Sequence, residues 1–352
     1  YNTGLDASFL KGKLRFTVDV YQKYIKDLLQ KKVKMPTSIG YGNGYEVSYM
    51  NSGKMTNKGW EFRVDAVPFE NRDWRVGFYF NIAHNENKIT EMPDNYTEEN
   101  YTFNNGEYAY RREEGRPMGS FYGYRYKGVC QNKDATYARD ADGNVMKDIS
   151  GNAIVMRNGT ATIAPGDALY EDINHDGVIN QYDIVYLGNS NPRFTGGAGV
   201  NVSYKQFKLS AIFYGRYGQD VVNSTRLNNE SMRGIDNQST AVLRRWRNEG
   251  DQTDIPRALY GEGYNTLGSD RFVEDASYLR LKSLSFNYRL PKKIIQRWGF
   301  SNIDVYVTGY NLFTWTKYTG QDPEVKTENT YARDSATTPA SIQLVAGFNL
   351  SF

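Results

Sequence analysis

From Ile342 to the end of the chain, apolar residues fall on every second position: Ile342, Leu344, Ala346, Phe348, Leu350 and Phe352. Gln343, Gly347, Asn349 and Ser351 lie among the intervening positions. A strand turns successive side chains to opposite faces, so this spacing predicts one apolar and one polar face. The same period recurs upstream. Leu14, Phe16, Val18 and Val20 form one stripe, and Trp60, Phe62, Val64 and Ala66 another. Trp74, Val76, Phe78, Phe80 and Ile82 follow the short link Asn71-Arg72-Asp73, which predicts a hairpin. Val200, Val202 and Tyr204 pass through Lys205-Gln206 into Phe207, Leu209, Ala211 and Phe213, with a change of parity that marks a new strand. Leu284, Phe286, Tyr288 and Leu290 make a further stripe. Leu279 and Leu281 are out of phase with it, which predicts a bulge near Lys282-Ser283. Ile303, Val305 and Val307 begin another strand, and Gly4 to Leu10 also reads as strand. In all, the pattern predicts roughly ten strands, many near the length a tilted membrane strand needs, about 9–11 residues.

Alternation alone serves a soluble sandwich as well as a membrane barrel. The connections separate the two. Short links at Lys11 to Lys13, Asn71 to Asp73, Lys205-Gln206 and Pro291 to Ser301 take turns with long ones at about 31–57, 93–118, 130–192, 219–275 and 319–338. Turns on one rim and long loops on the other is the plan of an antiparallel up-and-down transmembrane β-barrel, so the fold class is all-β over the whole chain, 1–352. About ten strands around a polar interior do not close a barrel of the larger kind. Unpaired edges are not tolerated in hydrocarbon, so completion by sequence beyond this chain or by another chain is expected. Within 219–275 a short helix is expected: Ser239 or Thr240 as cap, Val242, Leu243 and Trp246 on one face, and Gly250 as stop.

Composition narrows the picture without changing it. No run of about 18 apolar residues exists, so no transmembrane helix is predicted, which leaves a membrane barrel open. The 29 tyrosines suit membrane–water interfaces, a Tyr-rich soluble fold or a sugar-binding surface. A net charge of +3 gives no reason to expect nucleic acid. Cys130 is the single cysteine and has no internal disulfide partner. The chain opens Tyr1-Asn2-Thr3-Gly4 with no signal peptide, which with the early strand suggests a fragment.

One segment carries chemistry. Asp172-Ile-Asn174-His-Asp176-Gly177-Val178-Ile-Asn180-Gln-Tyr-Asp183 has the spacing of a calcium loop. Side-chain oxygens of Asp172, Asn174 and Asp176 occupy positions one, three and five. Val178 offers its carbonyl at seven, Asn180 acts directly or through water at nine, and Asp183 closes the site at twelve. An aspartate at twelve is shorter than the usual glutamate and resembles the loop of dockerin-type repeats. The competing reading is an Asx-rich turn without metal. Calcium here is expected to be structural, pinning the 130–192 loop. No catalytic set is found: His84 and His175 lie in unrelated contexts, and the pair Glu113-Glu114 reads as a solvated loop.

Five blocks together resemble the C-terminal part of SusC/RagA-type TonB-dependent transporters. They are Asn-Ser-Gly-Lys-Met-Thr-Asn-Lys-Gly-Trp-Glu-Phe at 51–62, Asn81 to Ile89, Glu-Gly-Arg-Pro-Met-Gly-Ser-Phe-Tyr-Gly-Tyr at 114–124, Gly166 to Gly177 with Leu187 to Phe194, and Ala276 to Leu284 with Tyr310 to Trp315 and the terminal Phe352. The resemblance implies the last part of a 22-stranded barrel in the Gram-negative outer membrane, preceded by a plug and a TonB-contacting segment. It implies TonB-energised import of oligosaccharides or peptides, with a SusD-like surface lipoprotein as lid. It also implies contact with outer-membrane lipid, and a terminal strand whose Phe352 resembles the signal read by the barrel assembly machinery. Trp246, Tyr260 and Tyr264, aromatics in the 219–275 loop, are candidates for substrate contact, with packing under the loop as the competing reading. The alternative function is a surface binding or adhesion protein, calcium-stabilised, that holds a polymer without moving it. A calcium-dependent hydrolase lacks its catalytic set.

Overall fold

The period-two stripes become one antiparallel sheet of nine strands in the computed structural model, which describes residues 1–34, 46–51, 53–92, 106–109, 112–325, 327–328 and 331–352. The strands are β1 (Asn2–Phe9), β2 (Leu14–Ile25), β3 (Lys54–Glu70), β4 (Trp74–Glu91), β5 (Phe194–Tyr204), β6 (Phe207–Tyr217), β7 (Tyr278–Arg289), β8 (Asn302–Thr316) and β9 (Gln343–Ser351). Neighbours in the sheet are neighbours in the chain, which is an up-and-down meander. Each short link is locally encoded. Asn71 Oδ1 accepts from the N–H of Asp73 and of Trp74, closing the β3–β4 hairpin. The expected bulge lies where Leu281 and Ser283 shift register against β8, which reconciles Leu279 and Leu281 with the later stripe.

Nine strands run through the sheet, against the roughly ten expected. β4 pairs directly with β5, from Trp74 opposite Tyr204 to His84 opposite Phe194, so 93–118 and 130–192 belong to one excursion. Between them, Ser120–Gly123 pairs with Val185–Asn189, and Tyr126–Val129 with Ala168–Tyr170. These pieces are too short to cross a membrane, and Ser120–Gly123 is buried on both faces. Of the expected 31–57 loop, Leu29–Lys34 pairs with Glu46–Asn51, while 35–45 and 52 lie outside the described residues. So do 93–105, 110 and 111 of the next loop and 326, 329 and 330 of the last. The helix expected from Ser239 is a single 3-10 turn, Thr240–Arg244, with Ser239 Oγ capping Ala241 N–H as predicted. Leu243 is exposed instead of sharing a buried face with Val242 and Trp246. The turn ends because Trp246 N–H donates to the Ile255 carbonyl, drawing the backbone away from a helical path. A regular helix stands elsewhere in the loop, at Ser224–Asn229.

Register places every stripe on one face. Val200 opposes Phe78 and Ala211, Ala211 opposes Leu284, Phe286 opposes Val307, and Val307 opposes Ala346. Aromatic rings gather at both ends of this apolar face. On the turn side, Trp74 stacks near Tyr204 at 4.3 Å and Phe207 near Tyr288 at 4.6 Å. On the loop side, Trp60, His84, Phe194 and Tyr217 form a row, with Trp315 further round. Phe194 and Tyr204 are the ends of one strand, about 33 Å apart along it. A tilt of roughly 45° reduces that to about 23 Å, close to the apolar band of a membrane barrel. On the polar face, Tyr21, Tyr79 and Tyr306 lie over their cross-strand partners Gly59, Gly199 and Gly347. No helix of the described residues is long and apolar enough to cross a membrane.

The buried cores sit mainly outside the sheet. One joins Tyr122, Tyr124, Cys130, Tyr170, Ile179 and Leu267, and another Tyr108, Phe121, Val222, Leu227 and Phe272. Much of the tyrosine excess is therefore loop core or lies over glycine, and the membrane interface accounts for only part of it.

Candidate functional site

The 172–183 segment folds into a closed loop around its own carboxylates. Asp172 Oδ2 accepts from Gly177 N–H at 2.8 Å, and its Oδ1 from Asp176 N–H at 3.2 Å. Asp176 accepts from Val178 N–H and from the Asn174 side-chain amide. Asn180 donates to the Val178 carbonyl and accepts from Tyr182 N–H. Asp183 is fully buried; its two oxygens accept from Ile173 and Asn180 N–H, both at 2.8 Å. Gly177 has φ +79, the left-handed turn expected at position six. Burial pushes the Asp183 carboxyl above the usual carboxylate range, and the charges of Asp172 and Asp176 push the same way. The donor set is all oxygen, with three carboxylates directed at one loop, and each carboxylate oxygen keeps a lone pair beyond its amide bond. In this geometry no three His, Cys, Asp or Glu side chains of the described residues stand in a metal-holding group, so a cation would have to draw the ligands inward. His175 points away, with Nδ1 3.2 Å from the Arg139 carbonyl. The loop is anchored by Val178–Ile179 pairing in parallel with Arg157–Asn158.

The three aromatic candidates part company. Trp246 is buried across Gly166, where a Cβ would run into the indole ring, so its ring is loop core and is not presented to a ligand. Tyr264 is half-buried, close enough to the Arg257 guanidinium to feel its charge. Tyr260 alone is open to solvent, at 80% exposure. Next to Trp246, Asp167 is fully buried and accepts from Arg257 Nε at 2.7 Å, from Asn265 and from Ala164 N–H. This carboxylate ties the 130–192 and 219–275 loops into one body. Burial pushes the nearby Cys130 thiol up to about 11, which leaves it an unreactive core residue.

One constellation has no clear signal in the pattern. Arg280 is buried on the polar face of β7 and reaches Asp322, Glu324 and the Thr314 hydroxyl. Gln219 bridges the carbonyls of Ala276 and Pro323 beside it. Together they bind the last long loop to the sheet wall. In sequence, Arg280 is only one polar member of an alternating strand, and its partners are some forty residues away. Phe352 lies at the turn-side rim, exposed, with its ring 5.0 Å from Phe300.

No protein-family model matches the chain. The TonB-dependent receptor P3 of Formosa agariphila is 32% identical over 336 residues, covering 93% of this chain and 30% of the receptor. The TonB-dependent receptor SusC of Bacteroides thetaiotaomicron is 26% identical over 362 residues, covering 100% of this chain and 31% of its own length. Among solved structures, the RagAB peptide transporter superposes with a TM-score of 0.71 at 27% identity, covering all of this chain and 35% of its own. The chain thus spans about a third of the length of the relatives it matches.

Proposed function

This chain belongs to the SusC/RagA-type TonB-dependent receptors, as barrel sequence amounting to about a third of such a protein, and from that premise we propose that the whole protein imports nutrients across the outer membrane. The observation that carries the reading is the meander itself: one face apolar over nine strands and bounded by aromatic rows, the other polar. The turn rim then faces the periplasm and the loop rim the cell exterior. Energy comes through the TonB complex by way of sequence beyond this chain. A SusD-like lipoprotein closes over the loops, and the barrel assembly machinery reads the strand that ends at Phe352. The substrate is an oligosaccharide or a peptide, the latter by analogy with the RagAB peptide transporter. The reading is transport and not catalysis: His84 joins the aromatic row with Nδ1 2.6 Å from the Arg193 carbonyl, far in sequence from His175 and its own backbone partner.

Within this reading the 172–183 loop holds one structural calcium through Asp172, Asn174, Asp176, the Val178 carbonyl, Asn180 and Asp183. What supports it is the spacing of the oxygen donors, with a fully buried Asp183 that feels the charges of Asp172 and Asp176, in a loop whose turn residue is glycine. In the full-length protein, Asp176→Ala removes one calcium per chain by elemental analysis; unchanged metal content means the loop is an Asx turn alone.

Native purification from detergent-solubilised outer membranes tests the function. A stoichiometric surface lipoprotein is expected to co-purify, and its bound ligand distinguishes glycan from peptide. Recovery of a barrel with no lipoprotein and no plug peptides would favour the surface-binding alternative.

A further inference from the structure

The apolar face is not uniformly convex. Gly196 of β5 and Gly215 of β6 stand directly opposite one another, with Ala198 opposite Phe213 on the same face. Ile82 flanks Gly196 and Leu279 flanks Gly215 on the outer strands. Two neighbouring residues without side chains, walled by larger ones, leave a groove of about 660 Å³. Its large apolar lining residues are Phe80, Ile82, Phe194, Phe213, Leu279 and Trp315. All have the outward parity of the register, so the groove opens away from the polar face. The glycines are required by the backbone as well. A Cβ at Gly196 would meet the Asn81 carbonyl, and one at Gly215 the Tyr278 carbonyl.

Width, depth and rim define an occupant. The floor is one to two strand spacings across, about 5–10 Å, the width of one or two extended hydrocarbon chains. The groove starts at the loop-side aromatic row, at Phe194 and Trp315, and runs toward the sheet middle past Ala198, about 13 Å along β5. At its upper rim stand Lys317, Ser277, Thr316 and Asp275. Asp275 is engaged locally, accepting from the N–H and hydroxyl of Ser277. Lys317 is exposed, two residues beyond Trp315, and has no carboxylate partner among the described residues. A lysine just above an aromatic row places its ammonium at headgroup level, where it attracts anionic lipid.

We propose that this groove is a binding site for an anionic, phosphorylated lipid of the outer leaflet, with one acyl chain lying along the Gly196–Gly215 floor and the headgroup phosphate on Lys317. The proposal rests on the outer-membrane reading above. A polar substrate has no route to this face, and a flat partner surface would leave the glycine floor unfilled.

The test is native mass spectrometry of the full-length protein, isolated in mild detergent, with retained lipid quantified per protein. Ala198→Phe fills the groove, Lys317→Glu repels the phosphate, and Ala346→Phe adds the same ring elsewhere on the apolar face as a control. Ala198→Phe is expected to lower retained phosphorylated lipid about tenfold. Lys317→Glu lowers phosphorylated lipid selectively over neutral lipid, and Ala346→Phe leaves both as in the unmodified protein. Equal retention in all four proteins overturns the site, as does Ala198→Cys cross-linking to a second protein in intact membranes. A protein that leaves the membrane fraction without detergent and carries no lipid overturns the barrel reading instead.

Discussion

Asp183 shows how one residue ties loop closure to protonation. It is fully buried, accepts two backbone N–H groups and faces Asp172 and Asp176, and burial followed by those charges raises its pKa. With the folded pKa above the unfolded one, the neutral form is favoured by folding. Its contribution to the metal-free loop is complete below the unfolded pKa and is lost as pH rises through the raised folded value. A bound calcium would supply the opposite charge. Amide hydrogen exchange across 172–183, corrected for intrinsic rates, should therefore show protection falling as pH rises above the ordinary aspartate value of about 4 in chelator. With calcium, protection should hold or rise over the same range; parallel curves would disconnect the carboxylates from a metal. Trp246 carries the opposite lesson. As an aromatic in a long loop it reads as a ligand contact, yet the missing side chain of Gly166 lets it pack as core. Sequence distance hides this, since the two residues meet only when separate loops pack.

At the level of elements, the strands were legible because their signal is local. Period two, the Asn71 turn and the out-of-phase Leu279 and Leu281 each need only a few neighbours to be read. The 93–118 and 130–192 connections merge into one excursion for a physical reason. Ser120–Gly123 and Tyr126–Val129 find partners inside their own excursion, so β4 closes directly on β5. Opposite faces of one strand should respond differently to charge. Val200, at the middle of β5, lies on the apolar face, whereas Asn201 lies on the polar face against the Ser210 hydroxyl. Val200→Arg should destabilise the full-length protein by about 2–4 kcal/mol in denaturant titrations in vesicles. Asn201→Arg should cost under about 1 kcal/mol, the loss of a single exposed-face hydrogen bond. Equal costs would mean that both faces see water.

For the whole molecule, the cores and the sheet divide the work. The sheet has a face for lipid and a face for the interior, so few of its residues are buried, while the loops pack around tyrosines with Asp167 and Arg280 as charged ties. Phe352 belongs to this scale because its local contacts are few: a ring 5.0 Å from Phe300 and a carbonyl accepting from Ser301 Oγ at 3.3 Å. Deleting it should change stability by less than about 1.5 kcal/mol, yet lower the fraction of assembled protein severalfold, read as heat-modifiable mobility of outer-membrane fractions. Normal assembly after deletion would remove the terminal aromatic as a recognition signal.

The sequence by itself determined the strand period, the short hairpin links, the left-handed turn at Gly177 and the spacing of oxygen donors, because each depends on residues within a dozen positions of one another. Only the tertiary structure decided which strand closes on which across the 92–193 excursion, and which loop aromatics remain open. It also decided that Arg280 holds a distant loop and that two glycines on adjacent strands open a groove in the apolar face. Those outcomes depend on contacts between segments far apart in the chain, for which local periodicity carries no signal.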